Sequence, residues 1–326
     1  MIDLTTPPST KVLVVGAGFI GSHICRRLLG DGHQVRVLTR ALPAPAHDRL
    51  LDGAEVLIGD ATDAAAVAAA MTGVQWVVFC AGGLVPAASQ SDPIPDVVLA
   101  LRPLLTVLDA VVRSPGTGLT YLSSGGTVYG RSTCARIPED HPTDPVTAYG
   151  VLKLAGEKFA GLYAGQSAMP IRILRCANVY GEGQRTDRGQ GAVAAFLKAM
   201  AHGEPITMYG AGDVIRDFVH VSDVAAAVSL LRPAHPLHPL SSLSAAGCEV
   251  VNVGSGIAVS LAELLSRMEE MLGAKAAVIR RPSRPFDVER NVLDIERLST
   301  LSGLTPMSLD FGLERTIGSE LLSATY

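Results

Sequence analysis

A tyrosine and a lysine, Tyr149 and Lys153, stand four residues apart in a segment that reads TAYGVLK. On a helix, residues at this spacing project from one face and lie close enough to interact. A tyrosine ordinarily loses its proton near pH 10, and an ammonium close to the ring favours the charged phenolate. Such a pair can move a proton on or off a hydroxyl group, so both residues are candidate catalytic groups, although this spacing is also frequent by chance.

A glycine-rich turn follows the first apolar run of the chain. Residues 11–15 read KVLVV, and Gly16, Gly18 and Gly21 come next in a G-x-G-x-x-G pattern that opens a segment of helical periodicity. In such a turn the first glycine permits the tight bend, the second lets the backbone approach a pyrophosphate, and the third lets helix and strand pack closely. The N–H groups at the start of the helix would face the phosphates. The pattern and its position predict a dinucleotide-binding site.

The end of the second predicted strand, residues 34–39, indicates which dinucleotide binds. An Asp or Glu at this place binds the ribose 2′-hydroxyl of NAD. The sequence has Thr39 and Arg40 instead, and a guanidinium suits a 2′-phosphate that a carboxylate would repel. We therefore favour NADP(H) as the cofactor, with NAD as the alternative, since an exposed arginine at a strand end is common. Asp60, after the third strand, could bond the adenine or cap the following helix.

Strand-like and helix-like patterns alternate through the first half of the chain, which predicts an α/β fold with a Rossmann-type doubly wound parallel sheet. Strands are predicted at residues 11–15, 34–39, 55–59, 75–80, 119–123 and 171–176, and helices at 19–30, 63–71, 97–112 and 147–164. Pro103 predicts a kink or a later start of the third helix. We predict a dinucleotide-binding domain over residues 1–177. A smaller C-terminal α+β substrate-binding region follows over 178–326, with some segments returning to the main sheet and a surface loop at 231–247.

Composition argues against several classes of function. The chain has 326 residues, of which 48% are hydrophobic and 18% charged, with a formal net charge of −4. Neither a basic run that would indicate nucleic-acid binding nor an apolar stretch long enough to span a membrane is present. The first ten residues lack the apolar segment of a signal peptide. The five cysteines are scattered without a C-x-x-C pair, so we expect no disulfide framework, no metal site and a reducing, cytoplasmic location.

Motifs that follow one another along the chain resemble the extended short-chain dehydrogenase/reductase family, in its nucleotide-sugar epimerase, dehydratase and reductase branch. They are GAGFIGS at 16–22, SSGGTVYG at 123–130, Tyr149 with Lys153, LRCANVYG at 174–181, RDFVHVSD at 216–223 and RPFD at 284–287. One such motif is weak, but several in the family's order are specific. The resemblance covers almost the whole chain. It implies that the first half holds the cofactor and that the second half covers a nucleotide-diphosphate sugar.

The resemblance implies site residues in both halves of the chain. The implied cofactor residues lie in the glycine turn, at strand ends and on the tyrosine helix: Gly16, Gly18, Phe19, Ile20, Gly21, Thr39, Arg40, Asp60, Ala61, Cys80, Ala81, Gly82, Ser123, Tyr149 and Lys153. The implied substrate residues are Asn178, Gly191, Arg216, Arg284 and Asp287. Arginine forks match the oxygens of a diphosphate, and Asp287 could accept a hydrogen bond from a ribose hydroxyl.

The chain departs from the family at residue 125. There the family carries a Ser or Thr that shares the substrate hydroxyl with the tyrosine, and this chain has Gly125. We predict that Ser124 takes this part, because two glycines permit a turn that re-aims its side chain, and that Thr127 is the second candidate. The dehydratases of this branch carry an Asp-Glu pair where Gly126 and Thr127 stand. Neither residue can act as acid or base, so dehydration is disfavoured.

Three functions stay open. A reductase would use NADPH to reduce a 4-keto sugar on a nucleoside diphosphate, with Tyr149 as proton donor, and Arg40 favours this hypothesis. A 4-epimerase would hold NAD tightly and would use the same Tyr149 and Lys153 to remove and return hydrogen at C4. A non-enzymatic dinucleotide sensor is conceivable, because Gly125 lacks the hydroxyl and Ala100 stands where many relatives carry an asparagine.

The sequence leaves the base and the sugar of the substrate open. Members of the family often dimerise through the two helices that correspond to residues 97–112 and 147–164 here. The resemblance therefore implies a homodimer.

Overall fold

The computed structural model of the protein describes residues 9–42, 49–82, 86–167, 169–185, 191–232, 248–284 and 287–323. The loop predicted at residues 231–247 lies outside the described residues from position 233 onward. All five cysteines are described, and none forms a disulfide. Among the described residues, no helix is both long and apolar enough to cross a membrane.

The strands and helices follow one another along the chain, mostly in alternation through the first half. The strands are β1 (Lys11–Val15), β2 (Gln34–Thr39), β3 (Glu55–Ile58), β4 (Trp76–Phe79), β5 (Gly118–Ser124), β6 (Ile171–Cys176), β7 (Asn178–Tyr180), β8 (Ile206–Tyr209), β9 (Ile215–Arg216), β10 (Phe218–His220), β11 (Cys248–Val253), β12 (Val259–Ser260), β13 (Val278–Arg281) and β14 (Arg290–Asn291). The helices are α1 (Phe19–Gly30), α2 (Ala64–Ala70), α3 (Pro86–Ser91), α4 (Pro93–Val112), α5 (Ala148–Ser167), α6 (Ala192–His202), α7 (Val221–Leu230), α8 (Leu261–Leu272), α9 (Glu296–Ser302) and α10 (Leu309–Ser323).

A parallel sheet of seven strands forms the centre of the described part, in the order β3-β2-β1-β4-β5-β6-β11. Every neighbouring pair in it is parallel. The chain crosses in opposite directions on the two sides of the β1–β4 pair, and ligands bind at such a switch point, outside the carboxyl ends of the strands. The predicted Rossmann-type fold is confirmed. The domain boundary at residue 177 stays a prediction, and β11 from the second half lies at the sheet edge beside β6.

Apolar side chains cover both faces of this sheet. Val12 and Val14 of β1 belong to one buried cluster, and Leu13 and Val15 belong to the other. Successive residues of a strand point to opposite faces, so a continuous apolar run is what a sheet covered by helices on both sides requires. Full burial of a side chain of this size stabilises the fold by about 1.5–3 kcal/mol.

Helix α4 begins four residues before its predicted start and continues through Pro103. The prediction of a later start is therefore wrong. The Asp92 carboxylate caps the helix by accepting a hydrogen bond from the Ile94 N–H at 3.3 Å. A proline in the first turn costs no hydrogen bond, because the N–H groups there have no partner within the helix.

The second half adds small sheets and a third buried cluster. Strand β10 pairs with β7, β13 pairs with β8, and β9 lies between β12 and β14. The third cluster includes Phe196, Leu264 and Leu313 from three helices. These elements stand beside the carboxyl ends of the main sheet and supply the second wall of the cleft described below.

His220, Glu182 and Arg315 form a small polar cluster in this second half. The Ser222 N–H donates to His220 Nδ1 at 3.2 Å, which puts the ring proton on Nε2. That nitrogen lies 3.1 Å from the Glu182 carboxylate, and Arg315 lies 2.9 Å from the other Glu182 oxygen. Burial raises the pKa of Glu182, but its interactions with the nearby His220 and Arg315 outweigh this and lower the pKa to about 2.

Candidate active site

A cleft of about 1130 Å³ opens at the carboxyl ends of the main strands and extends between the two halves of the chain. All the site residues predicted from the sequence line it. From the first half these are Gly16, Gly18, Phe19, Ile20, Gly21, Thr39, Arg40, Asp60, Ala61, Cys80, Ala81, Gly82, Ser123, Ser124, Thr127, Tyr149 and Lys153. From the second half they are Asn178, Gly191, Arg216, Arg284 and Asp287.

The glycine turn at one end of the cleft has the geometry that its sequence predicts. Gly16 has a φ of +100°, and a Cβ there would lie 2.9 Å from the Ala81 backbone. A Cβ at Gly21 would overlap the Gly16 carbonyl, whereas a Cβ at Gly18 would meet nothing within 4 Å. None of the side chains that the structure describes caps the N-terminus of α1. The turn can therefore accept a pyrophosphate against free N–H groups.

Arg40 and Asp60 mark the end of the cleft beyond this turn. The Thr62 N–H donates to Asp60 at 2.8 Å, and this bond lowers the pKa of Asp60, with further lowering by Arg40 and Arg102. The neighbouring Asp63, not Asp60, caps α2 by accepting from a backbone N–H at 2.9 Å. Arg102 of α4 also lines the cleft, although its sequence context gave no signal.

Tyr149 and Lys153 lie on the first turns of α5, above the end of β5. Lys153 Nζ donates to the Leu122 carbonyl at 2.9 Å and lies 5.8 Å from the centre of the Tyr149 ring. Burial lowers the pKa of Lys153, but the phenols of Tyr121 and Tyr149 outweigh it, so the pKa lies above its ordinary value. Lys153 is therefore an ammonium at neutral pH. A Cβ at Gly150 would lie 2.8 Å from the Thr127 carbonyl, so glycine permits this close approach.

The hydroxyl-rich turn offers one uncommitted hydroxyl to the cleft. Ser124 Oγ makes no hydrogen bond to any residue that the structure describes, whereas Thr127 Oγ1 donates to the Ser124 carbonyl at 3.4 Å. Ser123 Oγ donates to Glu157 at 2.5 Å. A Cβ at Gly126 would point toward Asn178 and Ser124 Oγ, at 3.9 Å from each. Ser124 is therefore better placed than Thr127 to share a substrate proton, although its role stays a prediction.

Gly125 cannot carry the family's hydroxyl on this backbone. A Cβ there would lie 2.6 Å from Leu293 Cδ1 and 2.9 Å from the Arg175 carbonyl oxygen. Both distances are shorter than a van der Waals contact. Leu293 and the Arg175 carbonyl therefore fill the space that a side chain at residue 125 would need.

A buried ion pair fastens α5 to the sheet beneath the site. Arg175 of β6 donates to the Glu157 carboxylate at 2.7, 3.1 and 3.2 Å, and Ser123 donates to the same group. Burial lowers the pKa of Arg175, but the bonds to Glu157 outweigh it and raise the pKa above its ordinary value. Glu157 follows Lys153 by one helical turn and lies on the same face of α5. Sequence reasoning missed this pair, because nothing local indicates which strand the helix meets.

Backbone contacts orient the polar residues of the opposite wall. The Asn178 amide nitrogen donates to the Asp217 carbonyl at 2.9 Å, and the Asn178 N–H donates to it at 3.0 Å. Arg216 donates to the carbonyls of Ile215 and Val288 at 2.8 and 2.7 Å. Burial lowers the pKa of the Arg216 guanidinium. These bonds fix the direction of each side chain before any ligand arrives.

Arg284 and Asp287 form a pair at the mouth of the same wall. Two hydrogen bonds of 3.0 Å join the guanidinium to the carboxylate, and the guanidinium carbon lies 4.3 Å from the centre of the Tyr209 ring. Stacking on an aromatic face suits a guanidinium that must stay oriented while partly exposed. Together with Arg216, these residues give this end of the cleft a positive charge that suits a diphosphate.

Comparison with known proteins agrees with this geometry. The model of the "NAD dependent epimerase/dehydratase family" matches residues 12–237. The UDP-glucose 4-epimerase of Mycolicibacterium smegmatis is 30% identical over 94% of this chain and 97% of its own. The dTDP-4-dehydro-6-deoxy-D-allose reductase of a Streptomyces species is 30% identical over 94% of both chains. The crystal structure of UDP-glucose 4-epimerase from Thermus thermophilus in complex with NAD superposes with a TM-score of 0.84, at 30% identity, over 95% of this chain and 98% of that one.

The match extends over more than half of the chain, from the glycine turn through the tyrosine helix and strand β7, which begins at Asn178. The relatives are named as epimerases and reductases of nucleotide sugars. The protein is therefore an enzyme, and it belongs to the NAD dependent epimerase/dehydratase family, the nucleotide-sugar branch of the extended short-chain dehydrogenases/reductases.

Proposed function

We propose that this enzyme is a 4-keto-sugar reductase that acts at C4 of a nucleotide-diphosphate sugar with NADP(H). The observation that carries the proposal is the single cleft in which Tyr149 and Lys153 stand between the glycine turn and the arginines of the opposite wall. A dinucleotide bound at the glycine turn supplies the hydride. The Tyr149 phenol then donates its proton to the oxygen at C4.

The residues around Tyr149 support this role. The Lys153 ammonium stabilises the negative charge that the phenol oxygen gains as it gives up its proton. The Ser124 hydroxyl, which has no bond within the described residues, would hold the sugar oxygen beside the phenol. Arg216 and Arg284 would bind the diphosphate, and Asp287 the ribose of the substrate. Asn178 and Gly191 would contact the sugar-nucleotide along the same wall.

The choice of NADP(H) rests on Arg40. The residue is exposed at the end of β2, where a carboxylate would exclude a 2′-phosphate, and it lines the cleft. Asp60 stands near Arg40, but its carboxylate already accepts the Thr62 N–H. A cofactor that exchanges freely suits net reduction. The Thermus thermophilus relative binds NAD, so NAD is the alternative.

A nucleotide-sugar 4-epimerase is the second candidate. The relative from Mycolicibacterium smegmatis is named UDP-glucose 4-epimerase and matches nearly the full length of this chain. The same Tyr149 and Lys153 would serve, since epimerisation removes a hydride and returns it to the opposite face. The sensor hypothesis is not carried further, because the protein is an enzyme.

Identification of the cofactor in the purified protein separates the two candidates. For a reductase we expect little bound dinucleotide, and consumption of added NADPH with UDP- or dTDP-linked 4-keto sugars. An R40A variant should raise the KM for NADPH more than that for NADH, and an R26A variant, altered at an exposed arginine of α1, should change neither. Bound NAD in a one-to-one ratio, with interconversion of UDP-glucose and UDP-galactose, would refute the reductase and support the epimerase.

We also propose that the enzyme is a cytoplasmic homodimer. Helices α4 and α5 carry exposed apolar residues, among them Val97, Val98, Val151 and Leu162. Exposed apolar side chains on two helices that pack against each other are typical of a subunit interface. Sedimentation of the wild type should give a mass near 68 kDa, twice the 34.0 kDa of the chain, and V151E/L162E should sediment as a monomer. A monomeric wild type at micromolar concentration would refute the dimer.

A further inference from the structure

A second tyrosine lies against the Lys153 ammonium. The centre of the Tyr121 ring is 5.3 Å from Lys153 Nζ, closer than the 5.8 Å to Tyr149. Both distances fall within the roughly 6 Å over which the negative face of an aromatic ring attracts a cation. Tyr121 belongs to β5, so its ring approaches the ammonium from the sheet, whereas Tyr149 approaches from the helix that carries Lys153.

A glycine on α5 makes room for this ring. A Cβ at Gly156 would collide with the Tyr121 hydroxyl oxygen and lie 2.8 Å from the carbon that bears it. On the other side, the Phe79 ring lies 6.1 Å away, centre to centre. The ring is thus fixed between β4 and the helix. The Tyr121 hydroxyl donates to the Lys153 carbonyl at 3.5 Å, a long and therefore weak bond, so the ring is its main contact with the lysine.

The groups that face Lys153 come from several elements. They are Tyr149 from α5 itself, Tyr121 from β5, Cys80 from the end of β4, Cys176 from β6, and Asp96 of α4, which borders the same small cavity as the two tyrosines. Burial raises the pKa of Tyr121 and of Cys176 to about 12, and that of Cys80 well above its ordinary value. The sheet side therefore presents no anion at neutral pH. The attraction it offers the ammonium comes from the Leu122 carbonyl and the Tyr121 ring.

From this arrangement we propose that Tyr121 is a positioning residue whose ring holds the Lys153 ammonium in place beside Tyr149. The inference rests on the proposed oxidoreduction, in which Lys153 must stay charged and close to the phenol. Burial disfavours the charged form of a lysine, and the Tyr121 ring offsets part of this cost. Without the ring, the pKa of Lys153 should fall. Loss of the ring should therefore move the alkaline decline of activity to lower pH.

Three variants separate the ring from its hydroxyl. Y121F keeps the ring and loses the hydroxyl, Y121L loses the ring, and G156A adds a methyl group where the ring stands. For Y121F we expect a kcat within about two-fold of the wild type, because its ring still attracts the cation. For Y121L and G156A we expect a loss in kcat of about ten-fold, with the KM for the cofactor nearly unchanged. D96N is the control for the carboxylate at the cavity, and its activity should decline at the same alkaline pH as that of the wild type.

A measurement on the lysine itself makes the test independent of turnover. The ¹³Cε resonance of Lys153, assigned with K153R, reports its titration by NMR, and thermal unfolding reports whether each variant is folded. We expect a lower pKa for Lys153 in Y121L and G156A than in the wild type; if Y121L does not fold, G156A carries the test. Equal titration and equal kcat in these variants would overturn the proposal, as would a Y121F as impaired as Y121L. A wild type that turns over no sugar nucleotide would refute the proposed function and leave the titration as the test of Tyr121.

Discussion

Replacement of Glu157 by glutamine removes one charge from the buried pair that fastens α5 to β6. The Glu157 and Arg175 side chains are 4% and 7% exposed, and the guanidinium makes three contacts of 2.7–3.2 Å with the carboxylate. Loss of one member of such a pair typically costs about 3–5 kcal/mol, because the other charge stays buried without compensation. At an unfolding entropy of about 0.7 kcal/mol/K for 326 residues, this corresponds to a fall in Tm of about 4–7 °C.

Thermal unfolding of matched variants tests this magnitude. R267A removes a partly exposed arginine that pairs with Glu263 and Asp310 at the surface, and it should cost less than about 2 kcal/mol in total, at up to about 1 kcal/mol for each pair. The double variant E157L/R175M replaces the buried pair by apolar residues and should recover much of the lost stability. An E157Q protein with the Tm of the wild type, or with no larger loss than R267A, would refute the reasoning, since it would show that the buried charge of Arg175 needs no partner.

Substitutions in the turn after β5 and at Glu182 test the packing, the catalytic hydroxyl and the stability at low pH. G125S should lose about 1–3 kcal/mol of stability without a gain in activity, because its Cβ would meet the Arg175 carbonyl; a more active G125S would contradict this. S124A should lower kcat at least ten-fold and more than T127A does, and the reverse order in steady-state assays would exclude Ser124 as the proton-sharing hydroxyl. The lowered pKa of Glu182 contributes stability above about pH 4.5 that is lost as the pH falls toward about 2. The free energy of unfolding, measured with urea across this pH range, should therefore depend less on pH in E182Q than in the wild type. An equal pH dependence in the two proteins would refute the lowered pKa of Glu182.

The central sheet could be predicted from the sequence because its strands are local apolar runs. Residues 11–15 contain four consecutive apolar residues, and each is buried in one of the two clusters. The glycine spacing of the first turn is a similarly local signal, and its backbone has the predicted form at Gly16. Local signals also located Tyr149 and Lys153, since their spacing requires only that the segment be helical.

The parts that escaped prediction depend on how distant segments meet. Tyr121 and Gly156 are 35 positions apart, and nothing near either residue indicates that the ring of one fills the place of the other's side chain. Leu293, 168 positions further along the chain, lies against Gly125. The sequence near Gly125 therefore does not show why a side chain is excluded there. The start of α4 was predicted at residue 97 and lies at Pro93, because the first turn of a helix tolerates proline and the helix continues through Pro103.

Turnover of Y149F, measured with saturating cofactor and a nucleotide-linked 4-keto sugar, shows whether the Tyr149 phenol carries the proton. This substitution removes only the phenol oxygen and leaves the ring near Lys153. We expect a loss in kcat of about 10²-fold or more, with cofactor binding and Tm close to the wild type. A Y149F enzyme with full activity would contradict the claim that this phenol carries the proton.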